Sequence, residues 1–134
     1  MIFYTDRQMA LFISSLPRSE FFYICSYGYH NRYKLPLNAK LLIAEPYLPE
    51  CRPNCPECAE RKALNHERLI SSLKDKNYKL ISDFHAKMII WDTGAIMGSR
   101  NLTGSEFTDV SILIDDTDTI QDLKEYFEEL WNKC

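Results

Sequence analysis

Apolar positions along this chain recur at two periods, and the switches between them outline the elements. Met9, Phe12, Ile13 and Leu16 fall at helical spacing and predict one apolar face of a helix over 5–16. Thr5 and Gln8 fit a capping box before it, and Pro17 stops it. Phe21 to Ser26 is a short, nearly continuous apolar run, the pattern of a buried strand, and Lys40 to Ala44 is a second. Helical spacing returns between Ala59, or a little later, and Lys76, with Ala63, Leu64, Glu67, Ile70 and Leu73 on one mostly apolar face. Tyr78 to Ser82 leads into Phe84 to Trp91, whose apolar run is interrupted at alternate positions and predicts a strand. The acidic cluster from Asp115 to Asp118 is a turn. Thr119 with Asp122 offers an N-cap, and Ile120, Leu123, Phe127, Leu130 and Trp131 give a last amphipathic helix. Helix, strand, strand, helix, strands, helix is the order of an α/β layer protein, a mixed β-sheet flanked by helices.

Length and charge narrow the class. The 134 residues suffice for one domain over 1–134 with a real core, and no repeat or low-complexity tract divides them. No apolar run reaches a membrane-spanning length, and Met1 to Asp6 lacks a basic region followed by a long apolar one. The expected location is therefore intracellular, in the cytoplasm. A net charge of −3 speaks mildly against avid, sequence-independent DNA binding, and leaves room for a local basic site. The acidic residues crowd the last helix, where they make a solvated face. Between Tyr27 and Ala39, Tyr27, Tyr29, His30, Arg32, Tyr33 and Lys34 mix aromatic rings with cations. Such a mixture can stack bases and meet phosphates, and it is equally the composition of an ordinary loop.

The segment 45–66 has different chemistry. Cys51, Cys55 and Cys58 share a stretch with Pro49, Pro53 and Pro56. Cys-x3-Cys-x2-Cys in a chain without an export signal favours Zn²⁺, held structurally, over disulfides. A closed tetrahedral site needs a fourth ligand, for which His66 is nearest in sequence. If 59–66 is all helix, Cys58 and His66 are separated by about 12 Å along its axis and cannot share one ion. Cys134, His30 or a residue of a partner chain are the other candidates. The competing arrangement is one disulfide and one free thiol.

His85 to Asn101 carries the chemistry. His85 and Lys87 are two apart on the expected strand and share a face. An imidazole beside an ammonium makes poor core and suits an anionic ligand, with histidine available as nucleophile, base or acid near neutral pH. Asp92-Thr93-Gly94 has the makeup of a three-residue hairpin loop with Gly94 at positive φ. That loop sets Trp91 opposite Ala95, Lys87 opposite Ser99 and His85 opposite Asn101, gathering the four polar side chains on one face. A two-residue loop of Thr93-Gly94 would shift the register by one and scatter them. Gly98 is expected to admit a ligand close to the backbone.

Read together, His85-x-Lys87, Asp92 and Gly98-Ser99-x-Asn101 resemble the HxK…D…GSxN signature of the phospholipase D superfamily. The resemblance extends to Leu102-Thr103-Gly104-Ser105 and to Asp109–Ile114, which looks like the strand that follows the motif in that family. It also takes in the helix ending Phe127-Glu128-Glu129-Leu130-Trp131. Asp109 stands where the family usually has a glutamate that pairs with the catalytic histidine, and Pro36 stands where it usually has a helix. Some nucleases of the family carry a zinc site before the HxK strand, though the cysteine spacing here is its own. The resemblance implies a phospholipase D-like fold and a metal-independent phosphodiesterase. It has two copies of the motif in one site, and this chain supplies one copy, so a homodimer is implied. One His85 would attack phosphorus while its counterpart serves as acid and base. Lys87 and Asn101 would hold the non-bridging oxygens, with Ser99 and Asp109 in support. The leading expectation is an endonuclease acting on DNA or RNA. Phospholipid hydrolysis, or a non-catalytic zinc-stabilised nucleic-acid-binding module, are the alternatives.

Overall fold

The computed structural model describes residues 1–27, 29, 34–45, 55–82, 84, 86–98 and 110–134. Among these residues, seven strands and three helices follow the order β1 (Ile2–Phe3), α1 (Asp6–Ser15), β2 (Phe22–Ser26), β3 (Ala39–Ala44), α2 (Pro56–Leu73), β4 (Asn77–Ile81), β5 (Met88–Trp91), β6 (Gly94–Gly98), β7 (Ser111–Ile114) and α3 (Thr117–Lys133). The strands form one sheet in the order β1-β7-β6-β5-β2-β3-β4. Pairs β2–β3 and β3–β4 are parallel, and β5 runs antiparallel to β2 and begins the antiparallel half. This is the mixed, helix-flanked sheet that the pattern predicts.

Alternation along the strands divides the core between the two faces. Ile24, Leu41, Ile43, Ile89, Trp91 and Ile96 pack with Met9 and Ile13 of α1 and Leu69 and Leu73 of α2. Tyr23, Cys25, Leu42, Met88, Ile90 and Ala95 pack with Ile120 and Phe127 of α3. The continuous apolar run of β2 is explained by this layering, since all five of its residues are buried between helices. Tyr23 and Phe127 stack at 4.2 Å, and the Tyr23 hydroxyl donates to Glu128 across 3.3 Å, which aligns α3 on the sheet. Burial and the adjacent Glu128 carboxylate push the Tyr23 phenol up from its usual range.

Helix starts and ends follow the local chemistry. Thr5 caps α1, with a reciprocal bond from its own N–H to Gln8, and Leu16 closes the helix before Pro17. The N-cap of α3 is Asp116, whose carboxylate accepts from the Thr119 N–H and hydroxyl, so α3 starts before the expected Thr119 cap. Helix α2 starts at Pro56 and ends at Leu73, earlier at both ends than its apolar pattern indicates. Proline suits the first helical position because that N–H has no partner within the helix anyway. At 18 residues α2 spans about 27 Å, well beyond strands of five or six residues. Its first half overhangs the core: Ala63 is exposed and Leu64 is 44% exposed, while Leu69 and Leu73 are buried. The expected apolar face therefore serves only the second half. No described helix is long and apolar enough to cross a membrane.

Candidate active site at one edge of the sheet

Strand directions bring one set of ends together. The carboxyl ends of β1, β2, β3, β4 and β6 (Phe3, Ser26, Ala44, Ile81, Gly98) share an edge with the amino ends of β5 and β7 (Met88, Ser111). Helix α1 follows β1 at this edge. In open α/β sheets, ligands settle beyond the carboxyl ends of the strands. The dipole of a helix beginning there favours an anion.

Among the described residues of the sequence motif, the structure places Lys87 and Gly98 here, and Lys87 is the one that carries charge. Lys87 immediately precedes β5 and is half-buried, and it lines a small crevice with Met9, Gly98 and Ser111. Alternation puts it on the α1–α2 face, in line with Ile89 and Trp91. His85, Ser99, Asn101 and Asp109 lie outside the described residues, as does Cys51. Their expected meeting with Lys87 is therefore not described. Of the aromatic-basic stretch, Tyr29 is described as a buried residue whose hydroxyl has no hydrogen-bond partner among the described residues. Burial pushes that phenol up from its usual range. His30, Arg32 and Tyr33 also lie outside the described residues. No helix occurs among the described residues between β2 and β3.

The hairpin corrects the expected register. Trp91 pairs with Gly94, Ile90 with Ala95 and Met88 with Met97. The loop is Asp92-Thr93, and Gly94 is the first residue of β6 rather than the third of the loop. Lys87 is next in the ladder to Gly98, not to Ser99. Gly94 owes its identity to packing, not to a positive φ. A Cβ there would lie 2.5 Å from Cζ2 of Trp91, and its φ falls outside the left-handed region. Gly98 likewise gives way to the protein itself, because a Cβ would meet the Val110 carbonyl oxygen at 2.2 Å and the Ser111 Cα at 2.6 Å. It lets β7 approach β6 at the site edge, where a ligand had been expected.

Asp92 proves to be a structural member of the motif. Its carboxylate accepts from the backbone N–H groups of Glu20 at 2.8 Å and Phe21 at 3.3 Å. The amide of Asn38 donates to the carbonyls of Ser19 and Glu20 nearby. Together they fix the entry into β2, at the sheet end opposite Lys87. Sequence reading missed this clasp because its partners are 71 and 72 residues away.

The zinc expectation meets two obstacles among the described residues. Cys58 is disulfide-bonded, so its sulfur has no thiolate to offer a metal, whereas Cys55 is a free, half-buried thiol. Because α2 begins at Pro56, Cys58 and His66 sit on one continuous helix, about 12 Å apart along its axis. His66 is thus out of reach of an ion held by Cys58. No group of three metal-binding side chains stands together among the described residues.

No protein-family model matches the chain, and no curated protein matches it. Solved structures do. NucT from Helicobacter pylori superposes with a TM-score of 0.60 at 19% identity, covering 100% of this chain and 96% of its own. A phospholipase D family member, Nuc from Salmonella typhimurium, gives 0.63 at 17% identity, covering 98% and 93%. TrmBL2, an archaeal chromatin protein with a novel mode of DNA binding, gives 0.54 at 13% identity, with 99% of this chain covering 52% of that one. At these identities the likeness is one of fold: a mixed sheet flanked by helices, phospholipase D-like in its overall architecture.

Proposed function

We propose that this chain is a phosphodiesterase, an endonuclease cleaving DNA or RNA through a phosphohistidine on His85. The observation that carries the reading is the position of Lys87 at the edge where the strands' carboxyl ends gather in a phospholipase D-like sheet, directly after His85-Ala86 in the chain. A fixed ammonium beside a histidine provides charge for a phosphodiester oxygen and a nucleophile for its phosphorus. The reaction needs a second imidazole to protonate the leaving oxygen and then activate water. This chain has one such motif, so a second copy related by a two-fold axis would complete the site. The two imidazoles would then titrate as a pair. Ser99, Asn101 and Asp109 are assigned supporting roles by their place in the motif.

The test is cleavage of labelled single- and double-stranded DNA and RNA in EDTA by wild type and His85→Ala. Product from wild type alone supports the reading. Immediate loss of activity in EDTA that Mg²⁺ alone restores would contradict the metal-independent mechanism. A monodisperse monomer whose activity is linear in protein concentration would remove the shared site.

A second reading is a nucleic-acid-binding module without catalysis. It is favoured by the likeness to TrmBL2 and by Asp109 in place of glutamate. Binding that survives His85→Ala, with no product from any nucleic acid, would select it.

A further inference from the structure

We infer that Cys55-Pro56-Glu57-Cys58 is a thiol–disulfide exchange site, in which the free Cys55 thiol attacks the disulfide that holds Cys58. Three observations converge on this turn. Cys55 is the N-cap of α2, and its side chain makes no capping hydrogen bond. Cys58 is the third helical residue and is already oxidised. Both side chains are half-buried on the overhanging part of α2, away from the sealed core that holds Cys25.

N-cap and third helical residue are close enough that, in a capping box, each side chain reaches the other's backbone N–H. Residues three apart on a helix bring their Cβ atoms to about 5–6 Å, and a disulfide needs roughly 3.5–4.5 Å. The remaining ångström or two can come from the first turn, whose leading N–H groups have no partner within the helix. Cys55 has extended backbone at φ −84° and ψ 114° and is not bound by helical geometry.

The step is balanced without an external oxidant. Cys55 gives its proton to water and attacks the Cys58 sulfur as thiolate. A Cys55–Cys58 bond forms as the original S–S bond breaks. The electron pair leaves on the displaced sulfur, which takes a proton from water. The chain keeps one disulfide, which has moved. Before exchange the disulfide ties Cys58 to a sulfur outside the described residues. Afterwards it closes only the four-residue turn. The same disulfide accounts for the poor fit to zinc, because exchange needs an oxidised sulfur and a metal needs a reduced one.

This inference does not depend on nuclease activity, and its test does not use it. The whole protein is held at pH 8 without reductant, quenched with acid, alkylated and mapped by non-reducing peptide mass spectrometry. Two disulfide isomers are expected, one containing the Cys55–Cys58 link, and Cys55→Ser should leave one isomer only. Cys58→Ser should remove the Cys55–Cys58 link without abolishing folding, as judged by circular dichroism. Wild type with no Cys55–Cys58 link after prolonged incubation would overturn the proposal. So would a chain that binds one zinc with every thiol reduced and resists oxidation in air.

Discussion

The two ends of the β5–β6 hairpin lie only a few residues apart and do opposite work. At the turn, Trp91 lies over Gly94 and Asp92 holds the backbone of Glu20 and Phe21. At the other end, Lys87 stands half-buried beside Gly98, at the edge where the strands' carboxyl ends gather. One conserves shape and the other presents charge, although both belong to a single sequence motif. Membership of a motif therefore does not fix a residue's role; its end of the strand does.

Substitutions can break this contrast. Lys87→Ala should lower kcat by about 100- to 1,000-fold, the usual cost of deleting one donor to a developing charge, with the melting temperature little changed. Asp92→Ala should do the reverse. It leaves two backbone N–H groups unpaired and costs roughly 1–3 kcal/mol by denaturant titration, while kcat at a permissive temperature stays within about tenfold. If Asp92→Ala abolished cleavage with stability intact, the separation of roles would be wrong.

The glycines sharpen the same comparison. Gly98→Ala forces a methyl against the backbone of Val110 and Ser111, which cannot rotate away, and should cost roughly 1–3 kcal/mol. Gly94→Ala meets a side-chain ring instead, so its cost in chemical denaturation should be smaller, though Trp91 is buried. Equal costs would mean that β7 can slide off β6, and the Lys87 edge would be softer than the contacts indicate.

The smallest expected effect concerns alkaline pH. Burial raises the folded-state pKa of Tyr23 and Tyr29 above that of the unfolded chain. Their contribution to stability is thus fully present below about pH 10, the unfolded value, and is lost as pH rises through the folded one. Tyr29→Phe should flatten part of this alkaline loss. It should also leave neutral-pH stability unchanged or slightly higher, because the hydroxyl it removes has no partner among the described residues. Urea titrations at pH 7 and above pH 10 read both effects. A marked loss of stability at pH 7 would show that the hydroxyl is satisfied in solution.

Local rules were legible where the interactions are local. The Thr5–Gln8 capping box, the stop at Pro17 and the buried run of β2 follow from neighbouring residues. The two-residue β1 was missed because so short a strand has no periodicity to read; it exists through its pairing with β7. The hairpin went wrong by one residue because a glycine after Asp-Thr satisfies a turn rule and a packing rule equally well. Only the indole of Trp91, folded over it, selects the second.

By itself the sequence determined the α/β class, the spacing of His85 and Lys87 two positions apart, and the crowding of cysteines before α2. Periodicity and spacing are carried by the chain whether or not it is folded. The tertiary structure decided that Asp92 clasps β2, that Gly98 makes room for β7, and that α2 carries Cys58 too far from His66 to share a metal. Each of these depends on which segments meet or where a helix begins. Those choices are made by packing across the whole sheet rather than by any residue's near neighbours.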